Sequence, residues 1–449
     1  VSQIIFLSFP KTSSDMYSGE ILDELEEKNI ETGDIIEVNG KRGRLMPKPS
    51  TGNPEAVNLK LDSGYNIGLD PEKIELVEKR GEDGGELEAD SKHDESKKDI
   101  LILHTGGTIA SRVSYETGGV KASFEQEDMV RMYPEVIEKA NIHSEVYVGK
   151  IMSEDMEPAH WQGIAEKIDE VKDEYDGIII GHGTDTLADT GAALSLMMRG
   201  IDTGVLLVGA QRSSDRPSTD ARMNLYCATK FLSETEFTGI GICMHNSSSD
   251  DACDILPGPK ARKMHTSRRD AFEPVNAEPV ATVNYDTDEI DYEETRDEND
   301  YDPSFELNDN VGFFKVRPGT RPEELQFLIE QDYDGVIIEG TGLGHMPISA
   351  FDEETEHHEE IQDKLEELTE DTLVVMTSNC IHGRINMDVY DNQVKVKKRG
   401  VIESDDMHPE LAYIKLMWSL GQKEDLEEAE KVFKENRNGE LEQRSLYCD

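Results

Sequence analysis

From Asp99 onward the chain alternates short apolar runs with glycine-rich turns and then stretches of helical spacing. The runs are ILIL (Ile100–Leu103), GIII (Gly177–Ile180), VLLV (Val205–Val208), IGIC (Ile240–Cys243), VII (Val336–Ile338) and LVVM (Leu373–Met376). A continuous apolar run, as opposed to an alternating one, marks a strand covered on both faces, as in a parallel sheet flanked by helices. Strands alternating with helices imply an α/β fold of doubly wound parallel sheets, with functional groups at the carboxyl ends of the strands. A larger unit is expected over residues 99–300 and a smaller α/β unit over 311–449, with the acidic stretch Asp286–Asp302 as a loop or connection between them.

The segments before this read differently. DIIEV (Asp34–Val38), KRGRL (Lys41–Leu45), AVNLKL (Ala56–Leu61) and NIGL (Asn66–Leu69) are short, β-like and separated by Gly, Pro and Asn turns. They predict a small β-barrel within residues 19–80. GEDGGELEADSKHDESKK (81–98) has almost no large apolar side chain and reads as an acidic linker. The opening VSQIIFLSF is too short for a membrane span and lacks the basic start of a signal peptide. Its first acid is Asp15, which is out of keeping with so acidic a chain. The residues before Met16 are therefore expected to be an upstream extension of the coding sequence, and residues 1–18 to be poorly ordered.

Length and charge add bounds. At 449 residues the chain exceeds what one hydrophobic core accommodates. With 96 Asp and Glu against 46 Lys and Arg, the formal net charge is −50. Disorder is the alternative for so charged a chain, but 36% of its residues are hydrophobic and they fall in well-formed segments. A folded protein with an acid-coated surface fits better, and a halophilic cytoplasm is the expected setting. Such a surface disfavours a general nucleic-acid-binding face. Cys227, Cys243, Cys253, Cys380 and Cys448 are scattered, without CxxC or a His cluster. Neither a disulfide framework nor a metal site is indicated, and the thiols are expected to be buried or inert.

Two turns carry candidate chemistry. HTGGTIA (His104–Ala110) follows the first apolar run, so the backbone at Gly106 and Gly107 can approach a ligand closely while Thr108 presents a hydroxyl. GHGTDT (Gly181–Thr186) follows a second run and precedes a helical stretch. There a hydroxyl (Thr184) sits beside a carboxylate (Asp185), near a helix N-terminus that favours developing negative charge. Taken singly, each is also explained as a tight strand-to-helix turn with capping residues.

Taken together, TGGTIAS and HGTDTLADT resemble the two signatures of the asparaginase/glutaminase family, amidohydrolases that use threonine nucleophiles, from about Asp99 to the C-terminal helix. The resemblance implies an asparaginase-like two-domain fold and assigns roles to matching positions. Thr108 is then the primary nucleophile, with Tyr115 beside it in a flap. Thr184, Asp185 and Lys263 form a second polar triad. Gly107, Ser153, Glu154 and Gly183 bind the substrate. Hydrolysis of an amide needs a deprotonated hydroxyl and a stabilised oxyanion; a desolvated lysine can take the proton and backbone N–H groups can serve the oxyanion. Which threonine attacks first stays open, with Thr108 favoured and Thr184 activating the second step or the attacking water. GTGLGH (Gly340–His345) and TSNC (Thr377–Cys380) are either structural turns or contributors to a site across a subunit interface, and Gln211–Asp220 is expected to place Asp220 and Asn224 near the site.

The barrel and linker ahead of TGGTIAS, with RKMHTSRRDAF (Arg262–Phe272) and MHPELAYIKLMW (Met407–Trp418), further resemble the GatD family, the ammonia-releasing subunits of archaeal glutamyl-tRNA(Gln) amidotransferases. That resemblance implies ammonia release from glutamine or asparagine. It also implies a separate partner chain, GatE, that binds tRNA(Gln) and uses ATP and Mg, and a homodimer within a heterotetramer. The chain has no GxxxxGK[ST] motif, so no cofactor is expected in it. The rivals are a stand-alone L-asparaginase/glutaminase and a regulatory protein that keeps the fold without catalysis. The charge of −50 generates one prediction: self-repulsion is screened by salt, so the melting temperature should climb steeply toward molar KCl. A thermal melt indifferent to salt would remove the halophilic reading.

Overall fold

The computed structural model describes residues 17, 19–31, 33–46, 55–60, 66–71, 73–79, 93–106, 111–113, 120–122, 134–212, 219–293, 300–442 and 444. The extension before Met16, most of the 81–98 linker and Cys448 lie outside them.

Helix α1 (Gly19–Glu27) precedes five antiparallel strands, β1 (Ile35–Val38), β2 (Lys41–Leu45), β3 (Val57–Lys60), β4 (Asn66–Leu69) and β5 (Ile74–Glu78), in the order β4-β3-β2-β1-β5. Ile21 and Leu25 of the helix close a small core with Ile36, Val38, Leu45, Val57, Leu59 and Ile74. Strand β5 was not among the segments read as β-like. Only Ile74 of its five residues is buried, so the alternation that marks a half-buried strand is missing. The chain is tied to the next unit before Asp99: the Asn141 side chain donates to the carbonyls of Asp94 and Lys97, and Lys98 Nζ donates to Thr235 O at 2.7 Å.

The large unit is built on an eight-stranded sheet. Its strands are β6 (Asp99–Gly106), β7 (Asn141–Ile151), β8 (Gly177–Gly181), β9 (Gly204–Val208), β10 (Gly239–His245), β11 (Ala252–Pro257), β12 (Ala281–Asn284) and β13 (Ile290–Tyr292). The order is β13-β12-β11-β10-β9-β8-β6-β7. Pairing is parallel from β10 to β7 and antiparallel from β10 to β13, so the sheet is mixed. Strand β13 lies within the stretch read as a connection; it is a three-residue edge strand in acidic sequence and carries little apolar signal.

Helices α2 (Pro134–Lys139), α3 (Pro158–Val171), α4 (Leu187–Met197) and α5 (Ala221–Glu234) cover the sheet. Residues of α2 and α5 share a core with Ile100, Ile102 and Ile179, while those of α3 and α4 share another with Leu101, Ile178 and Ile180. Alternate side chains of β6 and β8 thus serve opposite cores, as the pleat requires. The small unit has four parallel strands in chain order, β14 (Val311–Lys315), β15 (Gly335–Gly340), β16 (Leu373–Ser378) and β17 (Ile402–Glu403). Its helices are α6 (Pro322–Glu330), α7 (His358–Asp371), α8 (Asp391–Lys397), α9 (Pro409–Gln422) and α10 (Leu426–Lys434).

The two α/β units share one apolar core, which runs from Trp161, Leu194 and Leu207 through Leu411, Leu416 and Trp418 to Ile337 and Val375. Helix α4 is buried on nearly every side because the sheet lies below it and α9 packs against it. Polar ties cross the same seam. Asn276, in the left-handed region at φ 54°, donates from Nδ2 to the carbonyls of Gly383 and Asp406 and accepts from Gly383 N. Lys260 and Asp406 form an ion pair of 2.6 Å with side chains 3% and 0% exposed. Among the described residues Cys227, Cys243 and Cys253 are free and buried, and Cys380 is free and exposed.

Asp189, in the first turn of α4, faces this seam. Burial and then the charge of Glu410 push its carboxyl up from 3.8 to about 6, with Arg262 opposing. Because the folded value is the higher one, the unfolded chain releases this proton first. Stability is therefore lost as pH rises from about 4 to about 6, and the loss is constant above that window. Asp189→Asn should stabilise the protein by roughly 1–3 kcal/mol at pH 7.5 and give a flatter stability profile between pH 4 and 6. Denaturant unfolding of both proteins across that range checks it; equal stability at pH 7.5 would show that the carboxylate carries no penalty.

Candidate active site

The carboxyl ends of β6 and β8 are neighbours because the two strands pair in parallel, with His104 opposite Gly181. Thr105 Oγ1 donates to Gly181 O at 3.1 Å and ties the two ends together. Gly106 closes β6 at φ 109°, and a Cβ there would stand 2.2 Å from Ile151 O, so no side chain fits where β7 passes. Gly107, Thr108 and Tyr115 lie outside the described residues; Thr108 follows Gly106 by two positions in the chain.

The turn after β8 is braced from three sides. Ser153, buried in a short 3-10 turn (Ser153–Asp155) that follows β7, accepts from Asp185 N at 3.2 Å through Oγ and from Thr186 Oγ1 at 2.7 Å through its carbonyl. Gly183 must be glycine at this approach, since a Cβ would meet Ser153 Cβ and Oγ at 2.7 Å. Glu154 beside it is exposed. On another side lies Gly209, at the end of β9, where a Cβ would stand 2.8 Å from Thr184 Cγ2. Asn224 Nδ2 donates to Gly209 O at 3.0 Å, and Asp220 accepts from the amides of Gln211 and Arg212 at 2.8 and 3.0 Å. The expectation that Gln211–Asp220 places Asp220 and Asn224 near the site matches these contacts.

The third brace is His182, which the sequence reading did not single out. It is fully buried; Nδ1 lies 2.6 Å from Gly183 O and Nε2 lies 2.9 Å from Thr190 Oγ1. Burial lowers its pKa to about 4, so the ring is neutral: Nδ1–H donates to the Gly183 carbonyl and Nε2 accepts from Thr190. Helix α4 begins only at Leu187, with Thr186 at the cap position. Thr184 and Asp185 are therefore in the turn itself, and capping does not account for them.

Lys263 reaches this turn from a distant part of the chain. It ends a short strand, Ala261–Lys263, paired with Phe272–Pro274. Its Nζ donates to Thr184 Oγ1 at 2.9 Å and to Asp185 Oδ1 at 2.7 Å. Its side chain is 14% exposed, while that of Asp185 is 64% exposed, so the carboxylate links the amine to solvent. As an ammonium, Lys263 holds the Thr184 hydroxyl in place; after losing a proton it becomes an acceptor for that hydroxyl's hydrogen. Lys263 is thus within hydrogen-bond reach of both other groups of the expected triad, although 78 residues separate it from Asp185.

Gly340–His345 and Thr377–Cys380 span the carboxyl ends of β15 and β16 of the small unit and the turns after them, which are bonded to each other: Asn379 N donates to Gly340 O at 2.9 Å and Ser378 Oγ to Gly342 O at 2.6 Å. Among the described residues no group of three or more His, Cys, Asp or Glu could hold a metal ion, and no helix is long and apolar enough to cross a membrane.

Comparison with known proteins joins these features to a family. Residues 99–297 match the asparaginase N-terminal domain, residues 310–433 the glutaminase/asparaginase C-terminal domain, and residues 30–79 the GatD N-terminal domain. The fold is similar to that of the thermostable L-asparaginase from Thermococcus kodakarensis, with a TM-score of 0.68 and 30% identity, covering 77% of this chain and 100% of that one. The GatD subunit of glutamyl-tRNA(Gln) amidotransferase from Methanopyrus kandleri is 39% identical over 446 residues, 95% of each chain. Its counterpart in Pyrococcus furiosus is 41% identical over 434 residues, 93% of this chain and 96% of that one. With likeness over nearly its whole length, including the segment ahead of the asparaginase-type units, the chain belongs to the GatD family of glutamyl-tRNA(Gln) amidotransferase subunits.

Proposed function

We propose that this chain releases ammonia from glutamine or asparagine through a threonine nucleophile, and that a partner chain uses the ammonia to convert Glu-tRNA(Gln) to Gln-tRNA(Gln). The observation that carries the chemistry is Lys263 Nζ, itself largely buried, held between Thr184 Oγ1 and Asp185 Oδ1. In this reading a threonine hydroxyl attacks the side-chain amide carbon as its proton passes toward the Lys263 amine. The tetrahedral oxyanion is met by backbone N–H groups of the glycine turns, each such donor supplying roughly 2.7–4 kcal/mol. Return of the proton to the amide nitrogen lets ammonia leave, and water then cleaves the acyl-enzyme ester.

Thr108 is assigned the first attack, Thr184 the activation of the second step or its water, and Tyr115 a place beside Thr108. Gly107, Ser153, Glu154 and Gly183 are assigned to the substrate's amino and carboxylate ends. A Ser153 hydroxyl that accepts from Asp185 N still has its own proton to donate, which suits a carboxylate. Binding of tRNA(Gln), ATP and Mg is assigned to a GatE partner, and the assembly to a homodimer of this chain joined to that partner. The acid-rich composition supports this division, because a chain of net charge −50 repels a polyphosphate backbone.

A stand-alone L-asparaginase is the competing reading, and the likeness to the Thermococcus enzyme over 77% of the chain speaks for it. The match of residues 30–79 to the GatD N-terminal domain favours the amidotransferase reading. Two measurements test these assignments. Thr184→Val and Thr108→Val each keep the side-chain shape and should lower ammonia release at least about 100-fold while leaving the circular dichroism spectrum unchanged; near-normal release by either variant would remove that threonine from the mechanism. Ammonia release by the chain should rise strongly when partner and charged tRNA are added. Brisk turnover of free asparagine, indifferent to both, would establish the stand-alone enzyme instead.

A further inference from the structure

The strand that delivers Lys263 is short and belongs to a two-stranded ribbon. Three residues, Ala261–Lys263, pair with Phe272–Pro274, with one further backbone bond at each end, from Val275 N to Lys260 O and from Met264 N to Ala271 O, and a two-stranded ribbon of this size is marginal in water without other support. A lysine side chain adds four rotatable bonds, and a displacement of about 1 Å at a reacting group can cost roughly 100-fold in rate. The backbone under Lys263 therefore needs an external restraint.

The small α/β unit supplies one. Successive side chains of a strand point to opposite faces. Lys263 faces Thr184 and Asp185, while Arg262 and Lys260 reach the other way. Arg262 Nη2 donates to Glu410 Oε1 at 2.6 Å, and Lys260 Nζ donates to Asp406 Oδ2 at 2.6 Å. Asp406 lies in the segment that leads into α9, and Glu410 in that helix's first turn. That stretch is itself anchored: Asp406 Oδ1 accepts from Glu442 N, and Asp406 O from the Asn276 side chain. His408 Nδ1 lies 3.1 Å from Glu410 Oε2. Burial works against the charged form of Glu410, yet the His408 ring and the Arg262 guanidinium hold it down at about 2, so the acid stays ionised for Arg262.

We propose that Asp406 and Glu410, through Lys260 and Arg262, are positioning residues that clamp the strand from behind and keep Lys263 Nζ aligned on Thr184 and Asp185. The small unit thereby sets the geometry of proton transfer in the large one. This inference rests on the assignment of Lys263 as proton acceptor. A buried ion pair contributes little net stability compared with apolar residues of the same volume, so its use here is geometric.

The test compares ammonia release per folded molecule by the full-length chain, with and without its partner, for Glu410→Gln, Arg262→Met, Arg262→Lys and the double variant Lys260→Met with Asp406→Leu. In Glu410→Gln, Arg262→Met and the double variant, kcat should fall roughly 10- to 100-fold with KM changed less than about twofold. Arg262→Lys keeps a cation within reach and should recover most of the activity. The Arg262–Glu410 pair is partly exposed, with side chains 26% and 40% accessible, so these variants keep the test open if the double variant does not fold. Unchanged kcat in folded Glu410→Gln and Arg262→Met, with Lys263→Met inactive, would overturn the clamp and leave the role of Lys263 standing. Full activity in Lys263→Met would overturn that role and the clamp with it.

Discussion

The parallel hydrogen-bond ladder between Asp99–Gly106 and Gly177–Gly181 is the constraint on which the site depends. Its register sets His104 opposite Gly181, so the strand leading toward Thr108 and the strand leading to Thr184 end side by side. A slip of one residue would send Ile100 and Ile102 to the face now served by Leu101, exchanging the two cores that flank the sheet. Packing on both faces thus locks the register, and the register places the chemistry.

Once the strand ends are fixed, glycine and serine set the finer geometry. Gly106 passes against Ile151, Gly183 against Ser153, and Gly209 against Thr184, each at an approach that excludes a Cβ. The backbone can then run close to the site, and polar side chains such as Ser153, His182 and Asn224 occupy the turns as braces. The acidic exterior and the interior follow different rules. Outside, the excess of carboxylates is solvated. Inside, buried lysines are paired with carboxylates, as with Lys260 and Asp406 or Lys415 and Glu440, because an unpaired buried charge would be far more costly than a paired one.

Much of this was legible in the order of residues. The apolar runs over 100–103, 177–180, 205–208, 240–243, 336–338 and 373–376 all lie within parallel strands, since a run without alternation has little option but to be covered on both faces. The antiparallel half of the large sheet was not legible. ACDILP and ATVN are short and only partly apolar, and IDY lies in an acidic stretch, so their pairing comes from β10 and not from their own pattern. The turn GHGTDT announced a hydroxyl beside a carboxylate, but His182 passed unnoticed because a histidine next to glycine looks the same whether it is solvent-facing or buried.

What the sequence determined by itself was therefore local: which segments must be covered on both faces, which turns demand glycine, which hydroxyls and carboxylates sit at strand ends, and which family the motifs resemble. The tertiary structure decided how the distant parts meet. Lys263 stands 78 residues from Asp185, and its strand is seated by Asp406 and Glu410 still farther along the chain. Such contacts are fixed by the packing of α9 against α4 and by the pairing of buried charges, both of which exist only after the two units close on one core. Local spacing carries no record of that closure, because the free energy that drives it comes from surface buried between segments and not within them.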